Sequence, residues 1–296
     1  MNVVYAKRKV SVTGGWLQSR RQRLFLQRAM AYILLTVGGA VMMVPFFWLV
    51  TSALKAPSKI YILPPQWIPD PVRWDNFHRA VQEIPYGLYT YNTLVITVCA
   101  VVGSVVSSSM AGYAFARLRW PGRNVFFMII LSTLMLPGVV TMIPTYVLYN
   151  RLRWLDTFLP LIVPYWFGGG AFNIFLMRQF MLTIPLDLDD AARVDGATAF
   201  RIYVQLLLPL CRPALAILAI FGFMYHWNDF MGPLVYLFSP EKRTLSLGLQ
   251  QFRDMFRVQT ELIMAGSTIM VMPVIALFLV AQRYFIQGIA LTGMKG

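Results

Sequence analysis

Residues able to do covalent or metal chemistry are sparse in this chain. Two histidines, His78 and His226, are too few for an imidazole metal centre, and Cys99 and Cys211 form neither a disulfide nor a ligand framework by their spacing. No G-x-x-x-x-G-K-[ST] run cradles nucleotide phosphates, and neither H-E-x-x-H nor G-x-S-x-G occurs. Three groupings remain. An acidic cluster, Asp187, Asp189, Asp190 and Asp195, runs into Gly196. Asp229 stands beside His226, Trp227 and Asn228 at the end of an uncharged stretch. Tyr165, Trp166, Phe172 and Asn173 combine ring faces with an amide, which suits a polyhydroxylated ligand and equally suits a membrane interface. None of these is a catalytic constellation, so the expectation is no catalytic residue, no metal ligand and no cofactor held by this chain alone.

The elements that carry these residues are those of a membrane protein. Apolar residues make up 58% of the 296 and charged ones only 13%, about half of what a soluble domain carries. No Asp, Glu, Lys or Arg occurs at 29–54, 84–116, 124–150, 157–177, 213–228 or 262–282. A bilayer-spanning helix needs about 20 mostly apolar residues. The reading is therefore an all-α polytopic membrane protein with six transmembrane helices, at roughly 29–54, 92–116, 125–147, 157–178, 211–237 and 262–282. The first run is too long for the apolar region of a signal peptide, which is about 7–15 residues. The third and fourth helices, joined by a short turn around Asn150–Asp156, form a tight hairpin.

The net charge of +14, from 26 basic and 12 acidic residues, would suggest nucleic acid in a soluble protein. Here it reads as topology. With both termini inside, inner segments hold 16 of the 26 basic residues and outer ones 10, as the preference of cationic loops for the cytoplasm requires. The expected organisation is a basic cytoplasmic segment, 1–28, followed by a transmembrane domain, 29–296. The second span carries small residues in two rows, Gly103, Ser107, Ala111 and Ser104, Ser108, Gly112, Ala116, which let helix backbones approach closely and predict a central position. Pro137, Pro144, Pro160 and Pro164 predict kinks in the third and fourth spans, and Gly168–Gly170 predicts a weak or closely packed point.

The inner loop at 182–209 is the least membrane-like long stretch of the second half. Thr183 is a candidate cap, Pro185 suits a first helical turn, and three aspartates suit the positive end of a helix dipole. Leu188, Ala191, Ala192 and Asp195 fall on one helical face. Gly196 can end that helix in a left-handed conformation, with a second helix from Ala197 to about Leu208, before Pro209 and Pro213. Membrane-resting helices are usually basic because the inner leaflet is anionic. The acidic tip therefore favours docking in a protein groove. Asp229, about 24 Å along a helix from Pro213 at 1.5 Å per residue, falls near the outer end of its span. With Trp227 and Asn228 it is open to three readings: a helix-end cap, an outer gate or a proton relay.

Asp190-Ala191-Ala192, Gly196, Leu206, Leu208 and Pro209 resemble the EAA loop of ATP-binding-cassette importer permeases, with Asp190 where Glu is usual and Leu206 where Ile is usual. Further resemblance lies in Pro64–Pro69 with Asn76-Phe77 and Asn92-Thr93, in Ala111–Leu118 leading to Pro121-Gly122, in Trp227–Phe230 with Pro233-Leu234, and in Gln282–Phe285, Gly288, Lys295 and Gly296. Together these resemble the carbohydrate permeases typified by the second membrane subunit of the maltose transporter. The resemblance implies a MetI-like permease fold with a shared core at about 88–285, in a bacterial inner membrane. It implies a second homologous permease as heterodimer partner, an ATPase dimer that binds the ATP and magnesium, and an extracytoplasmic sugar-binding protein. It implies ATPase coupling through Asp190, Ala191, Ala192, Arg193, Asp195, Gly196, Leu206 and Pro209, and a C-terminal ATPase contact at Lys295 and Gly296. In such relatives the sugar site lies mainly on the partner permease. The rival readings are a stand-alone proton- or ion-coupled transporter and a membrane scaffold.

Overall fold

The structure is a computed structural model that describes residues 20–253 and 258–293, with side chains described over 24–253 and 258–282. The described residues are helical, with a single isolated bridge between Arg253 and Val258 in place of any sheet. The chain divides into two compact units, 1–49 and 50–296. The first holds most of α1 (Arg20–Ala53), an apolar helix interrupted by neither charge nor glycine cap after Arg28 and carrying Pro45 inside it.

The second unit begins with the last turn of α1. Its terminal carbonyls are satisfied by α2 (Asp75–Gln82): Asn76 Nδ2 donates to Ala53 O at 2.8 Å and to Lys55 O at 2.9 Å. A long helix, α3 (Tyr86–Arg117), follows. Then come α4 (Arg123–Ser132), α5 (Gly138–Arg151), the short α6 (Leu159–Ile162) and α7 (Ala171–Leu182). The loop region holds α8 (Asp187–Val194), α9 (Ala199–Arg201) and α10 (Leu208–Leu210). The chain finishes with α11 (Arg212–Trp227), α12 (Met231–Tyr236), α13 (Leu245–Gly248) and α14 (Thr260–Gly293).

Four stretches are long and apolar enough to cross a membrane: Leu24–Ala53, Tyr86–Arg117, Leu159–Leu182 and Thr260–Gln282. Two further pairs are bent, Arg123–Met135 with Gly138–Arg151 by 104° and Ala199–Leu210 with Arg212–Trp227 by 76°, so the count reaches six when each pair is one span. The break expected in the span at 125–147 falls at Pro137, where it divides the span into two segments. Proline at 137 holds an extended conformation (ψ 132°) and can donate no amide hydrogen bond, which ends one helix and starts the next. The expected helix at 211–237 stops at Trp227 and resumes at Met231.

α3 is the central element, as its small residues require. It packs most heavily against α7 and α11. At Gly112 an added Cβ would lie 2.6 Å from Met177 Cβ of α7, and at Gly169, where φ is +63°, 2.6 Å from the Ser104 carbonyl oxygen. Polar groups lock the same seam: Asn173 Nδ2 donates to Ser104 Oγ at 2.9 Å, and Ser107 Oγ donates to Tyr165 O at 2.9 Å. The glycines at 168–170 all take positive φ and break the fourth span where it meets α3.

Separate cores form at the two ends of α3. Tyr86 and Tyr89 pack with Ala53, Trp227, Leu245, Phe252 and Leu262. Tyr113 and Ala116 pack with Met177, Met181, Ile202, Leu207 and Leu218. Asn92 Nδ2 donates to Glu241 O and Arg243 O, and Thr93 Oγ1 accepts from Leu245 N at 2.8 Å, so the Asn-Thr pair pins the 241–245 segment to α3.

The seam gives a paired test. Gly112→Leu forces α3 and α7 apart and is expected to cost about 1–3 kcal/mol. Gly87→Ala on the same helix meets no heavy atom within 4 Å and is expected to be neutral or slightly stabilising. Unfolding of the two variants in detergent, followed by circular dichroism, reads the difference.

Candidate functional site: the loop at 182–209

α7 ends at Leu182, and Thr183 closes it: its Oγ1 donates to Phe180 O at 2.7 Å. The expectation that Thr183 opens the next helix is corrected. The Phe180 carbonyl one turn back accepts both the Thr183 N–H and its hydroxyl, and α8 starts at Asp187, without a side-chain cap and two residues beyond Pro185. The end of α8 follows the expectation closely. Gly196 takes φ +78°, its N–H bonds Arg193 O at 3.0 Å, and the Ala197 N–H bonds Ala192 O at 2.9 Å. Those two bonds are the paired closure of a Schellman motif, which needs a residue tolerant of the left-handed region. Thr198 Oγ1 then accepts from Arg201 N at 3.3 Å and starts α9. A wide π-helical turn runs from Ile202 to Leu207, and α10 carries Pro209 in its first turn.

One stripe on α3 holds this loop. Ser109, Tyr113 and Arg117 are four residues apart and share a face. Ser109 Oγ and the Tyr203 hydroxyl hydrogen-bond at 2.7 Å, the Tyr113 hydroxyl donates to Ala199 O at 2.9 Å, and Arg117 Nη2 donates to Ile184 O at 2.7 Å. The rings of Tyr113 and Tyr203 lie 5.2 Å apart. Arg117 also forms an ion pair with Asp189, Nε to Oδ2 at 3.5 Å, and both side chains are 1% exposed. In the sequence Asp189 is one of three acids suited to the helix dipole, and Arg117 stands out only within the Ala111–Leu118 resemblance. The one available signal was the spacing of Ser109, Tyr113 and Arg117, with Arg117 ending a run free of charge.

With Asp189 turned inward, the rest of α8 faces out. Leu188, Asp190, Ala191, Arg193, Asp195 and Gly196 are exposed, while Ala192 is half-buried against Tyr203 and its neighbours. The expected face of Leu188, Ala191, Ala192 and Asp195 is therefore split: three of the four point outward and Ala192 inward. Asp190 pairs with Arg193 at 2.9 Å on the surface, an exposed contact worth little in stability. Leu206 is half-buried and Pro209 exposed, on the following segment. Lys295 and Gly296 lie outside the described residues.

The second candidate grouping sits at the break between α11 and α12. Trp227 is buried, stacks on Phe223 at 5.3 Å and donates from Nε1 to Met270 O at 2.9 Å. Asn228 Nδ2 donates to Met224 O at 2.8 Å and so caps α11. Asp229 Oδ1 accepts from Gly232 N at 3.1 Å and caps α12. Asp229 also lines a cleft of about 600 Å³ bounded by α5, the 160–165 segment and the α11–α12 break. Of the four residues that suit a carbohydrate, Tyr165 lines that cleft, whereas Trp166 packs over Gly103 and Asn173 is bonded to Ser104.

A further polar clamp was not read from the sequence. In the turn between α5 and α6, where Arg153 and Asp156 both take positive φ, the Asp156 carboxylate accepts from the Ser239 hydroxyl, from the Ser239 and Phe238 amides at 2.9 Å, and from Lys242 Nζ at 3.1 Å. The Ser239 hydroxyl bond, then the amides and the Lys242 ammonium, hold this carboxyl well below the usual range.

A model of the family described as binding-protein-dependent transport system inner membrane component matches residues 103–291. An arabinooligosaccharides transport system permease protein from Halalkalibacterium halodurans is 37% identical over 229 residues, 77% of this chain and 81% of that protein. An sn-glycerol-3-phosphate transport system permease protein from Yersinia enterocolitica is 31% identical over 266 residues, 87% and 94% of the two chains. Among solved structures, a chain of a bacterial ABC transporter involved in the import of the acidic polysaccharide alginate matches with TM-score 0.76 at 25% identity, over 90% of this chain and 98% of that one. The architecture is thus the MetI-like permease fold expected from the sequence.

Two tests follow from the geometry. Asp189→Ala strands the buried Arg117 cation and is expected to cost about 3–5 kcal/mol, whereas Arg117→Met with Asp189→Leu returns close to the parent stability. Denaturant unfolding measures both, and faster tryptic cleavage at Arg193 and Arg201 in the single variant reports the freed loop. For Asp156, a folded-state value below the unfolded one means its contribution is complete above about pH 4 and is lost as pH falls through the folded value. Asp156→Asn is expected to weaken the clamp at neutral pH and to remove this acid-dependent part of the stability profile.

Proposed function

This chain belongs to the family of binding-protein-dependent transport system inner membrane components, and on that premise we propose that it is one permease of an ATP-driven carbohydrate importer. It pairs with a second, homologous permease to enclose the pathway. An ATPase dimer binds ATP and magnesium on the inner face, and an extracytoplasmic sugar-binding protein delivers cargo to the outer one. The orientation has both termini inside, in a bacterial inner membrane, and this subunit performs no covalent chemistry. The permease relatives named for arabinooligosaccharides, together with the carbohydrate-type motifs at 64–69, 92–93 and 227–230, support the substrate class.

The observation that carries the coupling reading is the outward surface of the loop. Val194 is 87% exposed and Phe200 67%, with Leu186 and Leu188 also exposed beside them. Apolar side chains held in water on a rigid, tied-down loop mark a surface made for a partner. The ATPase cleft receives α8 through Asp190, Ala191, Ala192, Arg193, Asp195 and Gly196, with Leu206 and Pro209 behind it and the tail at Lys295 and Gly296 alongside. ATP-driven closure moves this loop, and the Ser109, Tyr113 and Arg117 contacts pass the movement into α3. The pathway then switches between two states whose populations ATP and the loaded binding protein bias. Trp227, Asn228 and Asp229 stand at the outer gate, where the break between α11 and α12 gives the chain a joint.

Gly196→Asp isolates the docking surface. The site has open space for a Cβ, with no heavy atom within 4 Å, so the loop bears only the backbone cost of a left-handed aspartate, roughly 1–2 kcal/mol. The variant is expected to insert and fold yet to lose ATPase co-purification by tenfold or more. Undiminished co-purification would refute the coupling role.

A further inference from the structure

The cleft at the α11–α12 break has a chemical character that the coupling reading leaves unused. Its volume, about 600 Å³, lies within the roughly 300–1,000 Å³ of small-molecule sites. Thr141, Thr145 and Tyr149 of α5 face Tyr165 on one side and Tyr236 and Asp229 on the other. Tyr149 and Tyr236 meet edge to face at 5.3 Å, which fixes two ring surfaces at an angle in one wall. The Thr141 and Thr145 hydroxyls donate to carbonyls of their own helix and keep acceptor lone pairs, which together with the tyrosine hydroxyls and the Asp229 carboxylate match a ligand dense in O–H donors. Ring faces match the C–H faces of the same ligand. No lysine or arginine lines the cleft, and Asp229 is the one acid that does.

From this the geometry points to a substrate subsite on this chain for neutral saccharides, with Asp229 rejecting anionic ones. The inference rests on the importer reading and narrows it, because similar proteins are named for sn-glycerol-3-phosphate and for the acidic polysaccharide alginate, both anionic. A phosphate or uronate group brought into this cleft meets a carboxylate with no cation to offset it. At close range one like charge in such a setting weakens binding by about tenfold or more. Asp229 lines the cleft while its Oδ1 accepts from Gly232 N at 3.1 Å. Two duties thus fall on one side chain: it caps α12 and gives the cleft its one acidic wall.

The test uses the purified full chain in lipid nanodiscs, with maltotriose as the neutral probe and trigalacturonate as the acidic one, read by saturation-transfer NMR from the protein's aromatic protons. Maltotriose is expected to receive transfer and trigalacturonate to bind at least tenfold more weakly. Asp229→Asn keeps an oxygen for the Gly232 N–H, so α12 remains capped, and is expected to shrink the gap to about threefold or less. Tyr165→Ala is expected to weaken maltotriose by about tenfold with the ATPase still co-purifying. Equal binding of both probes, binding of neither, or a gap unchanged in Asp229→Asn would overturn the proposal. ATPase co-purification is read separately, so loss of that interaction would point to failure of the importer reading itself rather than of the subsite.

Discussion

The ion pair between Arg117 and Asp189 sets the terms for the rest of the functional half of the molecule. Both groups are removed from water, and removing two charges costs several kcal/mol per ion before their attraction returns any of it. Such a pair adds little net stability compared with apolar side chains of the same size. What it adds is orientation. Only one rotation of α8 about its axis places Asp189 against Arg117, and in that rotation Leu188, Ala191 and Asp195 point outward. The exposed apolar surface around Val194 is therefore a consequence of a buried acid on the opposite side of the same eight-residue helix.

The same logic explains why α3 is long and small-faced at once. At its far end it must hold the 241–245 segment through Asn92 and Thr93, and at its near end the loop through Ser109, Tyr113 and Arg117. Between those anchors it must let α7 come within contact of its backbone, which Gly112 and Ser104 permit. A helix with large side chains along the seam would satisfy the anchors and lose the packing. In a membrane, where lipid is as apolar as leucine, close backbone approach and buried polar contacts supply what the hydrophobic effect does not.

How much of this was legible in the sequence depended on how local each cause is. Charge-free runs marked the apolar segments well, because exclusion of charge is a property of each run alone. Pro137 marked a break in the third run, but nothing local gave its size, 104°, or showed that the fifth run stops at Trp227, since hydropathy is blind to direction. Gly196 was readable because a left-handed closure depends on the few residues around it. Thr183 was misread because a hydroxyl can cap the helix before it as easily as the one after it, and only three-dimensional ends decide. Asp189 was missed because its partner stands 72 residues away. Three aspartates in one first turn look alike to a dipole argument, and only packing singles out one of them. Trp227, Asn228 and Asp229 were readable as a group at a helix end, and the structure gives each a separate local duty.

The wide turn at 202–207 and the two prolines after it carry one more consequence. Pro209 and Pro213 each lack the amide that would have bonded the carbonyl four residues back, and the chain turns by 76° in the interval. A straight helix resists bending because every degree of tilt stretches hydrogen bonds on its outer side. Here two of those bonds are missing, while the Cys211 N–H still bonds Leu207 O at 2.9 Å and Leu208 O at 3.1 Å, so the bend is both permitted and held. The stretch from Leu207 to Pro213 is in mechanical terms an elbow set at one angle between the loop clamped to α3 and α11, with Leu207 and Cys211 fully buried on its inner side.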